Sequence, residues 1–331
     1  MIGKRRNIGA ALLLLGSGLL WGQAGERPAE RFVLAFYNVE NLFDTVNDPG
    51  KADGEFTPCG SYGWNAERYR HKVTNIARVL AQVGGGPDVI GLAEVENAGV
   101  LEDLIRESAL AKKGYDYVYF ESGDARGIGT ACLYRPLRFR LLGGEPLEYR
   151  RIFGASRHIL HVWGLSSGEK VHILICHLPS VPSPFRERAE AVASLKHYAD
   201  SLQRSDPDAG QIVMRDFNAN PDDGLLKPLF GGREPGGLEN PFREMYRTGR
   251  GSYLYRGRWN LYDAILADSA FFRGGAGLKF GKAGIFIRDF LMQQEGVYRG
   301  YPLRTFGGRR YLGGYSDHLP VYMVLEKNVP R

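Results

Sequence analysis

Short apolar runs of strand length recur along the chain at 32–38, 89–95, 115–120, 130–134, 159–165, 171–177, 211–217, 262–267 and 319–325. Each is rich in β-branched or aromatic residues and bounded by Gly, Pro, Asp or Asn. Two stretches between them carry a helical period instead. From Asn65, a capping residue, Tyr69, Val73, Ile76, Ala77 and Leu80 fall on one face, and Gly84-Gly85-Gly86 ends the run. Ser183 as cap and Pro184 at the first helical position open the second, with Val192, Leu195, Ala199 and Leu202 on one stripe. Helices interspersed among strands from end to end predict an α/β or α+β sandwich, not separate all-α and all-β halves. No internal repeat or low-complexity linker interrupts the pattern. An aperiodic stretch rich in Gly and Arg, 225–251, reads as a surface excursion near a site, and another, 298–314, runs straight into the GYSDHLPVY segment.

The first residues do not fit this pattern. Lys4, Arg5 and Arg6 precede an apolar run over 8–20, and Gly22-Gln23-Ala24 offers small residues for cleavage, so 1–24 reads as an export leader. The run is short of the about 20 residues a bilayer span needs. A periplasmic or extracellular protein is therefore expected, a monomer with no integral membrane segment once the leader is gone. Less that leader, the chain of 331 residues sits at the upper edge of what one core fills, roughly 250 to 300 residues, and 25–331 reads as one domain. Losing the leader also removes three of the bases behind the formal charge of +6. What remains tolerates polyanions without establishing a taste for them. Cys59, Cys132 and Cys176 are too few for a disulfide scaffold, and the last two lie in apolar runs as packing residues.

Four predicted strands end alike. Residues 36–37 lead into Asn38-Val39-Glu40-Asn41, 90–93 into Glu94-Val95-Glu96-Asn97, 173–176 into His177-Leu178-Pro179-Ser180, and 212–214, across Arg215, into Asp216-Phe217-Asn218. Ligands collect at one set of strand ends in helix-covered sheets, so the repetition predicts one shared site. Singly, each has a plainer reading: an Asx-turn at Asp216, a solvated or helix-capping Glu94, a core histidine at 177. Asp263 inside an apolar run needs a partner, and His318 of Ser316-Asp317-His318 would serve. Asn38, Glu94, His177, Asp216, Asn218, Asp263, Asp317 and His318 together supply hard oxygen ligands without zinc-type Cys/His spacing, which points to Mg2+ or Mn2+. Two histidines add acid–base capacity near neutral pH. No Ser or Cys nucleophile motif and no P-loop is present. The implied chemistry is metal-assisted attack by water.

The series "FYNVENLFD", "GLAEVEN", "DARGIGTACLY", "CHLPS", "RDFNANP", "GSYLYRGRWNLYDAIL" and "GYSDHLPVY" resembles the endonuclease/exonuclease/phosphatase superfamily, and especially its exported bacterial members with a YNVENLFD start. The resemblance spans about 32–325. It implies a four-layer α/β sandwich: two mixed β-sheets packed face to face, helices on the outside, the site at one edge. It further implies Glu94 as principal metal ligand with Asn38 and Asp317 supporting it. Asp216 would orient the water and Asn218 would hold phosphate or nucleophile. His318, held by Asp263, would be general base or stabiliser of the pentavalent phosphorus; His177 would protonate the leaving oxygen or bind a phosphate oxygen. An exported divalent-metal-dependent phosphoesterase follows, with a phosphate ester as substrate and a nuclease acting on nucleic acid as first reading. The basic stretches 243–258 and 299–310 could follow a phosphate backbone or simply be solvated.

The chain departs from the family pattern at several positions. Arg215 stands where Gly is usual, Val181 where relatives carry an arginine, and Gly129 and Ala219 where they tend to carry Asp. Arg215 and the missing arginine support a second reading: a silenced member that binds a polyanion or a protein.

Overall fold

The computed structural model of the chain describes residues 29–149, 157–230, 237–273 and 277–327. The proposed leader lies outside them. In chain order the strands are β1 Glu30–Leu42, β2 Val89–Val95, β3 Asp116–Tyr119, β4 Gly129–Tyr134, β5 Arg140–Leu147, β6 Ile159–Ser166, β7 Glu169–His177, β8 Gly210–Asp216, β9 Leu238–Glu239, β10 Tyr253–Tyr255, β11 Arg258–Asn260, β12 Asp263–Asp268, β13 Lys279–Ile285, β14 Phe306–Gly307, β15 Arg310–Tyr311 and β16 Val321–Lys327. The helices are α1 Ala66–Leu80, α2 Ala98–Arg106, α3 Ser108–Ala111, α4 Phe185–Ser205 and α5 Arg243–Arg247.

Two six-stranded sheets form, ordered β13-β16-β1-β2-β4-β3 and β5-β6-β7-β8-β12-β9. Each has one parallel pair, β1–β2 in the first and β7–β8 in the second. A parallel pair needs a crossover, and α1 and α4 supply them. Alternation along β1 decides which side faces what. Phe32, Leu34 and Phe36 join Ile173, Ile175, Ile212 and Met214 of the second sheet in one core, while Ala35 and Tyr37 pack with Val73, Ile76 and Leu80 of α1 in another. Gly91 lies at the centre of the sheet–sheet contact: a Cβ there would meet Met214 at 3.0 Å and Ile175 at 3.2 Å. The expected sandwich of mixed sheets flanked by helices is the observed one.

Asn65 caps α1 as expected, its side chain accepting from the amides of Glu67 and Arg68. The start of α4 differs. Pro184, extended at φ −53° and ψ 140°, occupies the cap position itself, and Ser183 makes no capping bond. Strands β5 and β13 went unpredicted because Gly143-Gly144, Pro146 and Gly281 read as breakers. Both are edge strands, where one neighbour suffices and such residues are tolerated. The stretch 225–251 is less irregular than its sequence suggests, holding a 3₁₀ helix, β9 and α5 among the described residues. Phe271 is buried in the core and the half-buried Phe272 packs against it. All three cysteines are free, with Cys132 and Cys176 buried. No helix among the described residues is long and apolar enough to cross a membrane.

Candidate active site

Period-two alternation carries the site together. On β1, β7 and β8 the inward series ends at Asn38, where the regular pairing of β1 with β2 breaks, and at His177 and Asp216, the last residues of β7 and β8. His177 and Asp216 are direct register partners, and Asp263 opposes Asp216 on β12. Glu94 reaches the same point through a bulge. Pairing of β1 with β2 passes from Asn38↔Ala93 to Leu42↔Val95, so three residues of β1 face Glu94 alone. Glu94 itself adopts φ +67°, and Glu40, Asn41 and Asn218 nearby are also left-handed. Four non-glycine residues in that region at one rim mark strain concentrated at the site.

The contacts are close. Asn38 Nδ2 donates to Glu94 Oε1 at 3.3 Å and to Asp216 Oδ2 at 3.1 Å. Asn41 N donates to Glu94 Oε2 at 2.8 Å. His177 Nε2 lies 3.9 Å from Glu94 Oε1 and 3.6 Å from Asp216 Oδ2. His318 Nδ1 meets Asp263 Oδ2 at 2.7 Å, and Ser252 Oγ donates to that same oxygen at 2.5 Å. Ser316 Oγ donates to the carbonyl of Asn38 at 2.7 Å and accepts from His318 N at 3.0 Å, tying the last loop to β1. Asp216-Phe217-Asn218 is an Asx-turn as well as part of the site: Asp216 Oδ1 accepts from Asn218 N while Oδ2 faces the cleft.

Of the eight residues singled out in the sequence, Asn38, Glu94, His177, Asp216, Asn218, Asp317 and His318 line one cleft of about 650 Å³. Asp263, fully buried, stands behind His318. Asp317 is engaged by Arg304, whose Nη2 reaches Asp317 Oδ2 at 3.0 Å and Glu40 Oε1 at 2.6 Å. Lys72 of α1 secures that loop from below through the Thr305 hydroxyl and the Tyr315 carbonyl.

The two histidines are held in opposite states. Burial would depress His318, but Asp263 and Asp216 outweigh it and keep the imidazole well above the usual histidine range. Burial pushes His177 well below that range, and Arg157, His318 and Arg126 push the same way. Burial and the neighbouring Asp263 raise Asp216 to about 6, against the pull of His318.

Glu94 and Asp216 converge on a neutral amide and a neutral imidazole, and neither is paired with Lys or Arg among the described residues. His318 Nε2, 3.9 Å from Asp216 Oδ2, offsets part of that charge, and the remainder, centred on Glu94, fits a cation. Donor atoms of Asp216, Asp263 and His318 also lie within 4.8 Å of one another, a group capable of holding a divalent ion.

Several lining residues had no role assigned from sequence. Arg126 and Arg157 stand in the cleft wall beside Val181, so cationic side chains from elsewhere occupy the neighbourhood of the missing arginine. Arg304 and Glu40 were visible in quoted or noted stretches, but nothing in their spacing marked them. Arg215 is the instructive departure. It faces the side of β8 opposite Asp216, is 1% exposed, lines no part of the cleft and lies over the ring of Phe217. Its Nε and Nη1 have no hydrogen-bond partner, and burial lowers its pKa well below the ordinary value. We expect Arg215→Leu to raise the unfolding free energy by about 1 kcal/mol or more, since it removes a buried, unsatisfied cation. Hydrolysis should stay within about threefold of wild type. Chemical denaturation and a parallel rate assay check both; a destabilised or inactive variant would give Arg215 a role this geometry lacks.

Facing sheets, with carboxylates and histidines gathered at their common rim, define a metal-dependent hydrolase. The chain belongs to the endonuclease/exonuclease/phosphatase family, whose model matches residues 33–327. No curated protein matches the sequence. Among solved structures, TDP2 from D. rerio complexed with single strand DNA product is similar at TM-score 0.58 and 18% identity, covering 89% of this chain and 98% of that one. A mannosyl-6-phosphatase from Bacteroides thetaiotaomicron gives 0.56 and 16%, covering 89% and 99%. The human Nocturnin catalytic domain with bound sulfate anion gives 0.56 and 15%, covering 90% and 99%. At these identities the likeness speaks to fold.

Proposed function

We propose that the chain is an exported phosphoesterase that cleaves phosphodiester bonds of flexible, single-stranded nucleic acid. The observation that carries the substrate is a second groove, of about 920 Å³, sharing Tyr253, Tyr255 and Asp317 with the catalytic cleft. It adds Tyr298, Tyr301, Arg256 and Arg310. Aromatic faces interleaved with arginines suit successive bases and phosphates of an unpaired strand. The TDP2 complex with a single strand DNA product supports the same reading by analogy. Arg243 and Arg247, by contrast, are both tied to Asp222, so the phosphate-tracking role falls to the groove and not to α5.

Glu94, Asn38 and Asp317 would hold Mg2+ or Mn2+, which when bound neutralises charge developing on the phosphate oxygens. The chain's own groups do the rest. Asp216 Oδ2 faces the cleft as an acceptor able to orient a water, and Asn218 holds the adjoining turn. Of the two roles open to His318, the protonated imidazole fits stabilisation of the phosphoryl oxygens, with Asp263 fixing its tautomer and direction. Neutral His177, together with Arg126 and Arg157, fits binding of a phosphate oxygen. The alternative of a silenced binder loses its support, because Arg215 points away from the cleft.

The test is hydrolysis by purified protein of single-stranded DNA, RNA, duplex DNA, sphingomyelin and sugar phosphates, with and without chelator. Single strands should be cut fastest and chelator should abolish cutting. Preference for a sugar phosphate monoester would overturn the substrate, and chelator-resistant turnover would overturn the metal.

A further inference from the structure

Beyond the catalytic cleft, the loop after β1 carries Asp44, Asp48 and Asp53, and the turn after β2 carries Glu96. One carboxylate oxygen from each of Asp48, Asp53 and Glu96 lies within 4.8 Å of the others. Asp53 is 2% exposed, and its Oδ1 is buried with no hydrogen-bond partner. A carboxylate oxygen in that position is costly unless a cation meets it. The remaining bonds leave the same gap. Asp53 Oδ2 accepts from Asp48 N at 2.9 Å. Glu96 Oε2 accepts from Asp44 N at 2.6 Å and from Asn97 Nδ2 at 3.2 Å, which leaves Oε1. Asp44 is occupied otherwise, accepting from Val46 N and Asn97 Nδ2. No Lys or Arg pairs with any of these acids among the described residues. Lys51, the base within the loop, turns away to the Ser122 carbonyl at 3.0 Å.

We infer that Asp48, Asp53 and Glu96 form a second divalent-cation site, which takes calcium. The donors are all carboxylate oxygens on an irregular loop and a turn, the kind of set that Ca2+ accepts at 2.3 to 2.6 Å with variable geometry. Ligands at that distance can stand up to about 5 Å apart across the ion, whereas Mg2+ demands a tighter octahedron. The ion would pin the 44–53 loop to the turn that begins two residues beyond Glu94. The same loop is fastened by Ala52 N to the Ala125 carbonyl at 2.8 Å, beside Arg126 of the cleft wall. Calcium would therefore brace the site without entering it.

The test is thermal unfolding of the chelator-stripped full chain on titration with CaCl2, run on wild type and on E94Q, which disables the cleft's own metal site. Calcium should raise the midpoint by roughly 5 °C in both at saturating concentration. With D48N or D53N added to E94Q the rise should vanish; Asp48 is only half-buried, so D48N tests the site even should D53N fold poorly. Terbium luminescence sensitised by tyrosine, with Tyr119 bonded to the Glu96 carbonyl, should appear in E94Q and be lost when D48N is added to it. No rise in wild type, a rise absent from E94Q, or one undiminished when D48N or D53N is added to E94Q would each overturn the site.

Discussion

Glu94→Gln should lower hydrolysis of bis(p-nitrophenyl) phosphate about 10³-fold and raise the magnesium concentration for half-maximal rate by at least roughly tenfold. Glutamine keeps the volume and can still accept from Asn41 N, so the bulge and its left-handed backbone have no reason to relax. What disappears is the negative charge that Glu94 presents beside Asn38, with no Lys or Arg paired to it among the described residues. Rate and metal dependence should therefore fall together while the unfolding midpoint moves little. Wild-type turnover at wild-type magnesium in a folded E94Q protein would remove the cation from this end of the cleft.

His318→Ala separates the two functions. The rate should drop by a factor of about 10² to 10⁴ with magnesium half-saturation unchanged, since the imidazole acts on phosphoryl charge and not on the ion. The arrangement around it supports that size of effect. Asp263 is fully buried, receives both Ser252 and His318, and has His318 as its ion-pair partner among the described residues. Asp263→Asn should reproduce much of the loss, because an amide in place of the carboxylate no longer stabilises the charged ring. A His318→Ala enzyme that kept its rate, or that lost magnesium affinity in step with rate, would move His318 out of this role.

How far the sequence foretold this site depends on the periodicity of each segment. Asn38, His177 and Asp216 terminate strands whose alternation is plain, so their convergence was legible once one edge was assumed. Glu94 was legible as an acid at a strand end, but its aim was not, because a register slip opposite Val39, Glu40 and Asn41 is written in no residue type. Arg215 stands out as a departure from the family pattern, but one position from Asp216 on a strand means the opposite face, and that alone clears it from the cleft. Arg126, Arg157 and Arg304 escaped because they come from loops that become neighbours only through tertiary packing. The edge strands β5 and β13 escaped for a related reason, since half-paired segments tolerate glycine and proline that interior strands exclude.

The pairing of β1 with β16 runs from Glu30↔Lys327 to Phe36↔Val321, and Asp317 and His318 sit just before that last strand. Two of the eight site residues thus take their place only when β16 docks on β1. Fraying of that one pairing would withdraw both groups together, so turnover doubles as a readout of whether the two strands stay zipped.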